Sequence, residues 1–124
     1  MTSPSSEALR QFQSLCAELS APELAELRDK VAAHAQHLVR EQARSELIAA
    51  DLALAVRDRL ERLFELAPEL SAEALAQVVG AARYFTSKDD AIPDTQACTG
   101  LDDDVAVVNH VLGALGRQKW RIEE

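Results

Sequence analysis

The chain has 124 residues, with 21 acidic against 13 basic side chains and a net charge of −8 at neutral pH. This length suits one domain with one core, and the negative charge argues against nucleic acid or an anionic membrane surface as the principal partner. No apolar run approaches the roughly 20 residues needed to cross a bilayer, and residues 1–7 lack the basic start and apolar block of a signal peptide, so we expect a single cytoplasmic domain, 1–124, without a membrane span.

Residue spacing predicts the first helix and the start of the second. After Ser6, apolar residues recur at steps of three and four, which predicts one buried helix face and an end near Leu19. These residues are Leu9, Phe12, Leu15 or Cys16, and Leu19. Ser20 and Glu23 then have the spacing of a capping box, with Leu19 and Leu24 as its hydrophobic staple, so a second helix begins there.

Residues 23–67 contain neither glycine nor proline and are predicted to be helical. Their apolar stripe fades between Arg40 and Glu46 and then resumes. An unbroken helix of this length would be about 68 Å long, which is far longer than a compact domain of this size unless a second copy packs along it. We therefore predict a bend or break near residues 40–46, or a long helical hairpin that dimerises.

Two more helices are predicted after Pro68, which ends this block. Ser71 is the predicted cap of the first of them and again has leucines at the staple positions. The last helix is predicted to begin after Leu101 and to end at Gly116, before a charged tail at residues 117–124. Because no alternating strand pattern appears, the predicted fold is all-α, with four to five helices in a small bundle.

Aspartates crowd the segment between the last two helices. They are Asp89, Asp90, Asp94, Asp102, Asp103 and Asp104. In one interpretation they serve the backbone by bonding to turns and to the start of the last helix, while Pro93 fixes φ and Gly100 supplies a left-handed position. In the other, four of them converge on a hard cation such as Mg²⁺ or Ca²⁺, for which carboxylates are suitable ligands. Those four are Asp90, Asp94, Asp103 and Asp104.

A series of residues around this segment also keeps a distinctive order and spacing. They are Tyr84, Asp90, Ile92, Pro93, Asp94, Gly100, Asp103, Asp104 and Val107. Over residues 81–112 this order resembles the YkvA-like family, a bacterial domain of unknown function. The resemblance implies a helical domain with a structural turn formed by Tyr84, Ile92, Pro93 and Gly100, and it implies no established reaction. Many relatives are thought to be membrane-associated, but polar residues 95–99 replace an apolar stretch here and argue against that association.

Two further groups of side chains are weaker candidates for chemistry. His34 and His37 lie three residues apart with Glu41 one turn further, so they could share a helix face and hold a transition metal, although histidines at this spacing are often only surface residues. Two acid pairs are similar to the paired acids of all-α nucleotide pyrophosphohydrolases, but nearby arginines suit ordinary surface ion pairs equally well. These pairs are Glu23 with Glu26 and Asp58 with Glu61.

We expect a non-enzymatic helical interaction or regulatory protein, because the apolar stripes exceed what four short helices in one small core require. The expected action is self-association along the long second helix or docking of a partner protein. One alternative is a metal-dependent hydrolase that uses the aspartate-rich turn. Another is a small acidic chaperone or immunity-type protein that masks a basic partner.

Overall fold

The computed structural model describes residues 6–42, 50–86 and 100–122, and within these ranges the chain forms helices and no strand. The five α-helices are α1 (Ser6–Leu15), α2 (Ala21–Gln42), α3 (Ala50–Glu65), α4 (Ala72–Thr86) and α5 (Gly100–Ala114). Two short 3₁₀ turns lie at Ala67–Glu69 and Gln118–Trp120. The all-α prediction is confirmed. Of the helices described, none is both long enough and apolar enough to cross a membrane.

Helix α1 ends at Leu15, four residues earlier than predicted. Its buried face holds Ala8 and Phe12, and Leu19 packs against the core from the connection to α2. The guanidinium of Arg83 on α4 donates to the carbonyl oxygen of Leu15 at 3.2 Å. This bond satisfies one of the carbonyls that a helix end leaves free, so α4 stabilises the early end of α1.

The start of α2 is the predicted capping box. The backbone N–H of Glu23 donates to Ser20 Oγ at 3.4 Å, and the backbone N–H of Ser20 donates to the Glu23 carboxylate at 3.1 Å. Hydrogen bonds from the Ser20 backbone and hydroxyl lower the pKa of Glu23, with a smaller contribution from the charge of Arg83. Because this pKa is lower in the folded chain than in the unfolded one, the ionised Glu23 carboxylate stabilises the fold, and this stabilisation is complete above the unfolded pKa. It is lost as the pH falls through the folded pKa.

Helices α2 and α3 form an antiparallel pair rather than one rod. They pack against each other, and Arg28 near the start of α2 lies 3.5 Å from the carboxylate of Glu65 at the end of α3. The two helices therefore run in opposite directions, which confirms the predicted break; residues 43–49 lie outside the described residues. The apolar faces of the two helices meet other helices of the same chain, as the burial of Val31 and Leu60 shows.

Helix α4 is the centre of the bundle, since it packs against all four other α-helices. Its start is capped as predicted, because the backbone N–H of Ala74 donates to Ser71 Oγ at 3.1 Å. The buried residues of α4 are Val78, Val79, Gly80, Ala81, Ala82, Tyr84 and Phe85. A helix covered on several sides must be apolar around much of its circumference, which is why α4 shows a broader apolar surface than a single stripe.

Helix α5 is also covered on more sides than its sequence spacing predicts. Five consecutive residues, 104–108, are buried, because α5 packs against α1, α3, α4 and the turn at Gln118–Trp120. The predicted end at Gly116 is confirmed. Gly116 has a φ of +74°, and the N–H of Arg117 donates to the carbonyl of Leu112 at 2.7 Å. This left-handed C-terminal motif turns residues 117–122 back onto the bundle.

Candidate functional site

The aspartates proposed as cation ligands are only partly within the described residues. Asp90 and Asp94 lie outside them, together with Ile92 and Pro93 of the predicted turn. Asp103 is exposed in the first turn of α5, where free backbone N–H groups favour a negative charge, whereas Asp104, the next residue, is 5% exposed. Consecutive helical residues point roughly 100° apart, so these two carboxylates face different surroundings. The four-aspartate cation site stays a prediction.

Two other residues of the predicted turn belong to the helices that flank it. Tyr84 is buried within α4, where it contributes to the core, and Gly100 is the first residue of α5. Left-handed backbone at a described glycine is found at Gly116, at the opposite end of α5. Tyr84 therefore contributes to the packing of the core, and its predicted role in the turn stays a prediction.

Of the two histidines on α2, one lies in the core and the other on the surface. His34 is buried and its ring meets the ring of Phe85 edge-on, with centroids 4.8 Å apart. His37 is exposed, and the two imidazole centroids are 6.5 Å apart. Across residues 6–42, 50–86 and 100–122, no group of three or more His, Cys, Asp or Glu side chains is placed to hold a metal ion. His34 thus packs against α4.

Three of the four acids in the two predicted pairs have ordinary structural partners. Glu23 belongs to the capping box of α2, and Glu61 lies 3.6 Å from Arg57 one turn earlier on α3. The carboxylate of Asp58 is shared by Arg59 at 2.6 Å and Arg62 at 3.2 Å. For Glu23, Asp58 and Glu61, these contacts favour a helix cap and surface ion pairs over a paired-acid active site.

Cys16 is a half-buried thiol at the end of α1. Its Sγ donates to the carbonyl oxygen of Phe12 at 3.3 Å, and burial raises the pKa of the thiol above its usual range. A thiol held in its protonated form is a poor nucleophile, so Cys16 serves packing. Cys98 lies outside the described residues.

The residues after α5 form a basic cluster around Trp120 that the sequence did not lead us to predict. We call it the tail cluster. It comprises Arg59 and Arg62 on α3, and Arg117, Lys119, Trp120 and Arg121 after α5. The guanidinium carbon of Arg62 lies 5.6 Å from the centroid of the Trp120 ring, and that of Arg117 lies 5.3 Å from it. Both distances are within the range of cation–π attraction.

Hydrogen bonds to α3 and α5 hold this segment in place. Arg59 Nε donates to the carbonyl oxygen of Trp120 at 2.6 Å. The side-chain amide of Asn109 bonds both backbone groups of Ile122: its Nδ2 donates to the carbonyl oxygen at 3.0 Å, and its Oδ1 accepts from the N–H at 2.8 Å. Ile122 itself is 4% exposed. Residues 117–122 of the charged tail are therefore a docked part of the bundle.

The tail cluster is locally positive on an acidic protein. The cluster includes five of the 13 basic residues, and among the described residues Asp58 is the carboxylate paired with two of them. Within the part of the chain that the structure describes, no carboxylate forms an ion pair with Arg117, Lys119 or Arg121. A sequence signal was present, since the chain's sole tryptophan and an isoleucine interrupt an otherwise polar and charged segment.

Comparison with known proteins does not assign this chain to a family. No family model matches the chain, and neither a curated protein nor a solved structure matches it. The resemblance of residues 81–112 to the YkvA-like family stays a prediction. A functional hypothesis for this chain therefore rests on its own residues.

Proposed function

We propose that this protein is a helical interaction module that docks a partner protein through the tail cluster. The observation that supports this most strongly is the pair of guanidinium groups held over the partly exposed Trp120 ring. Tryptophan and arginine are the residues most enriched among those that dominate binding energy at protein interfaces. Their combination on a surface is therefore typical of a contact site.

The packing of the core favours a partner over self-association along α2. The apolar stripes that suggested a surplus of hydrophobic surface pack together in one core. Among the described residues, Leu54 is the large hydrophobic residue that remains exposed. Self-association through the apolar faces of helices needs a contiguous exposed apolar patch. The described surface has no such patch around Leu54 and therefore gives little support to self-association along α2.

Two alternative functions have weaker support. A metal-dependent hydrolase would depend on Asp90 and Asp94, which lie outside the described residues. A protein that masks a basic partner is supported by the net charge of −8, but no group of described residues marks where such a partner would bind. A cytoplasmic location belongs with these proposals.

Site-specific photo-crosslinking in the producing cells tests the docking proposal. A photoreactive amino acid at the exposed position Lys119 is expected to give a discrete adduct with a partner protein. The same amino acid at Gln36, an exposed position on α2, provides the matched control and should not give that adduct. No adduct at Lys119, or the same adducts from both positions, would contradict docking at the tail cluster. An adduct with a second copy of this chain would instead support self-association.

A further inference from the structure

We infer that the tail cluster recognises an acidic segment of a partner protein, in which several Asp or Glu carboxylates follow one another closely. This inference rests on the proposed function, since it names the chemistry of the partner that docks at the same residues. It is carried by three properties of the cluster: the ordering of three of its arginines, the carboxylate that two of them already bind, and the excess of positive charge among its described residues.

Three arginines of the tail cluster are held in place before any partner binds. Arg62 and Arg117 lie over the Trp120 ring, and Arg59 is fixed by bonds to the Trp120 carbonyl and to Asp58. Ordering a long side chain opposes binding, so side chains that are already ordered bind a partner with a smaller entropic penalty. The side chain of Arg62 is still 50% exposed, which leaves it accessible to a partner.

Asp58 shows the kind of contact that the cluster can make. One oxygen of its carboxylate, Oδ2, accepts from Arg59 Nη1 at 2.6 Å and lies 3.2 Å from Arg62 Nε. A guanidinium fork suits planar oxyanions because it offers several donors in a fixed geometry. Arg117, Lys119 and Arg121 carry further charges of the same sign beside it, and these suit additional carboxylates of the same partner segment.

The charge distribution favours a short acidic segment over a nucleic acid. Among the described residues, the five cations of the cluster have one carboxylate paired with them, that of Asp58, while the whole chain carries −8. At physiological ionic strength, charges interact over roughly 8 Å, so a short segment responds mainly to the local cluster. A long polyanion would also meet the acidic remainder of the surface and be repelled by it.

A fluorescence titration tests this inference directly. Trp120 is the sole tryptophan, so its emission reports on the cluster without a label. The probe is an oligoglutamate peptide, compared with oligolysine, oligothymidylate and vesicles that contain an anionic lipid. We expect saturable binding of oligoglutamate that changes Trp120 emission and weakens as salt increases. The other three probes are expected to bind more weakly or not at all.

Charge variants locate the binding site. Lys119→Glu is expected to weaken oligoglutamate binding by about tenfold, because it replaces an attraction with a repulsion at an exposed position. Arg117→Gln should weaken binding in the same direction. Lys30→Gln removes a basic residue from the exposed surface of α2 and should leave the affinity unchanged. Circular dichroism of each variant establishes that the fold is retained.

Several results would overturn the inference. They are the absence of saturable binding to oligoglutamate, an equal loss of affinity in Lys119→Glu and Lys30→Gln, and tighter binding of oligolysine, oligothymidylate or vesicles. A partner adduct at Lys119 together with no oligoglutamate binding would refute the acidic segment and leave the docking proposal standing. Oligoglutamate binding without any adduct at Lys119 would refute the docking proposal instead.

Discussion

Replacing Ile122 with alanine is expected to lower the free energy of unfolding by about 2–4 kcal/mol, as for other buried isoleucines. The size of the effect follows from burial, since Ile122 is 4% exposed and belongs to the same core as Leu112. Removing three carbon atoms there leaves a cavity that the surrounding helices fill only in part. Urea denaturation monitored by circular dichroism measures the change.

Lys119→Ala is the matched control for Ile122→Ala, because Lys119 is in the same segment but exposed. Its expected effect is within about 0.5 kcal/mol. The emission of Trp120 should also shift to longer wavelength in Ile122→Ala, since undocking the segment increases solvent contact of the ring. If the two variants were equally stable and Trp120 emission did not change, the docked position of residues 117–122 would be wrong.

Replacing Gly80 with alanine is expected to destabilise the protein by about 1–3 kcal/mol, although alanine is intrinsically the better helix former by about 1 kcal/mol. A Cβ atom at Gly80 would lie 2.5 Å from Cys16 Sγ, 3.0 Å from Cε1 of Phe12 and 3.1 Å from the Phe12 carbonyl oxygen. The last of these is backbone, so α1 would have to move away from α4. Thermal and urea denaturation both report the loss.

Gly113→Ala and a double-mutant cycle separate the clash from helix propensity. A Cβ at Gly113 on α5 would have no neighbour within 4 Å, so alanine there is expected to stabilise the protein by about 0.5–1 kcal/mol. Cys16→Ala removes the closest of the clashing atoms and should restore part of the stability lost in Gly80→Ala. Equal stabilisation by alanine at positions 80 and 113 would mean that α1 and α4 do not approach so closely.

The helix boundaries that could be predicted are those set by local interactions. The capping residues Ser20 and Ser71 bond with groups three residues away, and the turn at Gly116 depends on its own left-handed φ. Contacts between residues so close in sequence can be predicted from residue spacing. The end of α1 was misplaced because it depends on Arg83, which is 68 residues from Leu15. Local residue spacing cannot predict a hydrogen bond between residues so far apart in sequence.

The tail cluster escaped prediction for the same physical reason. Arg59 and Trp120 are 61 positions apart, and Asn109 and Ile122 are 13 apart, so their contacts appear only when α3 and α5 pack together. From sequence alone, residues 117–124 are a charged tail. The aspartate-rich segment differs from the tail cluster in this respect. Asp90 and Asp94 are conspicuous in the sequence, but they lie outside the described residues.

The central claim is that residues 117–122 are a fixed part of the bundle and thereby order the tail cluster. Amide hydrogen exchange at Ile122 tests it most directly, because this N–H donates to Asn109 Oδ1 at 2.8 Å. We expect the Ile122 amide to exchange far more slowly than that of an unstructured peptide, and to lose this protection in an Asn109→Ala variant. Exchange at the unstructured rate in the unmodified protein would contradict the docked segment and the preordered cluster with it.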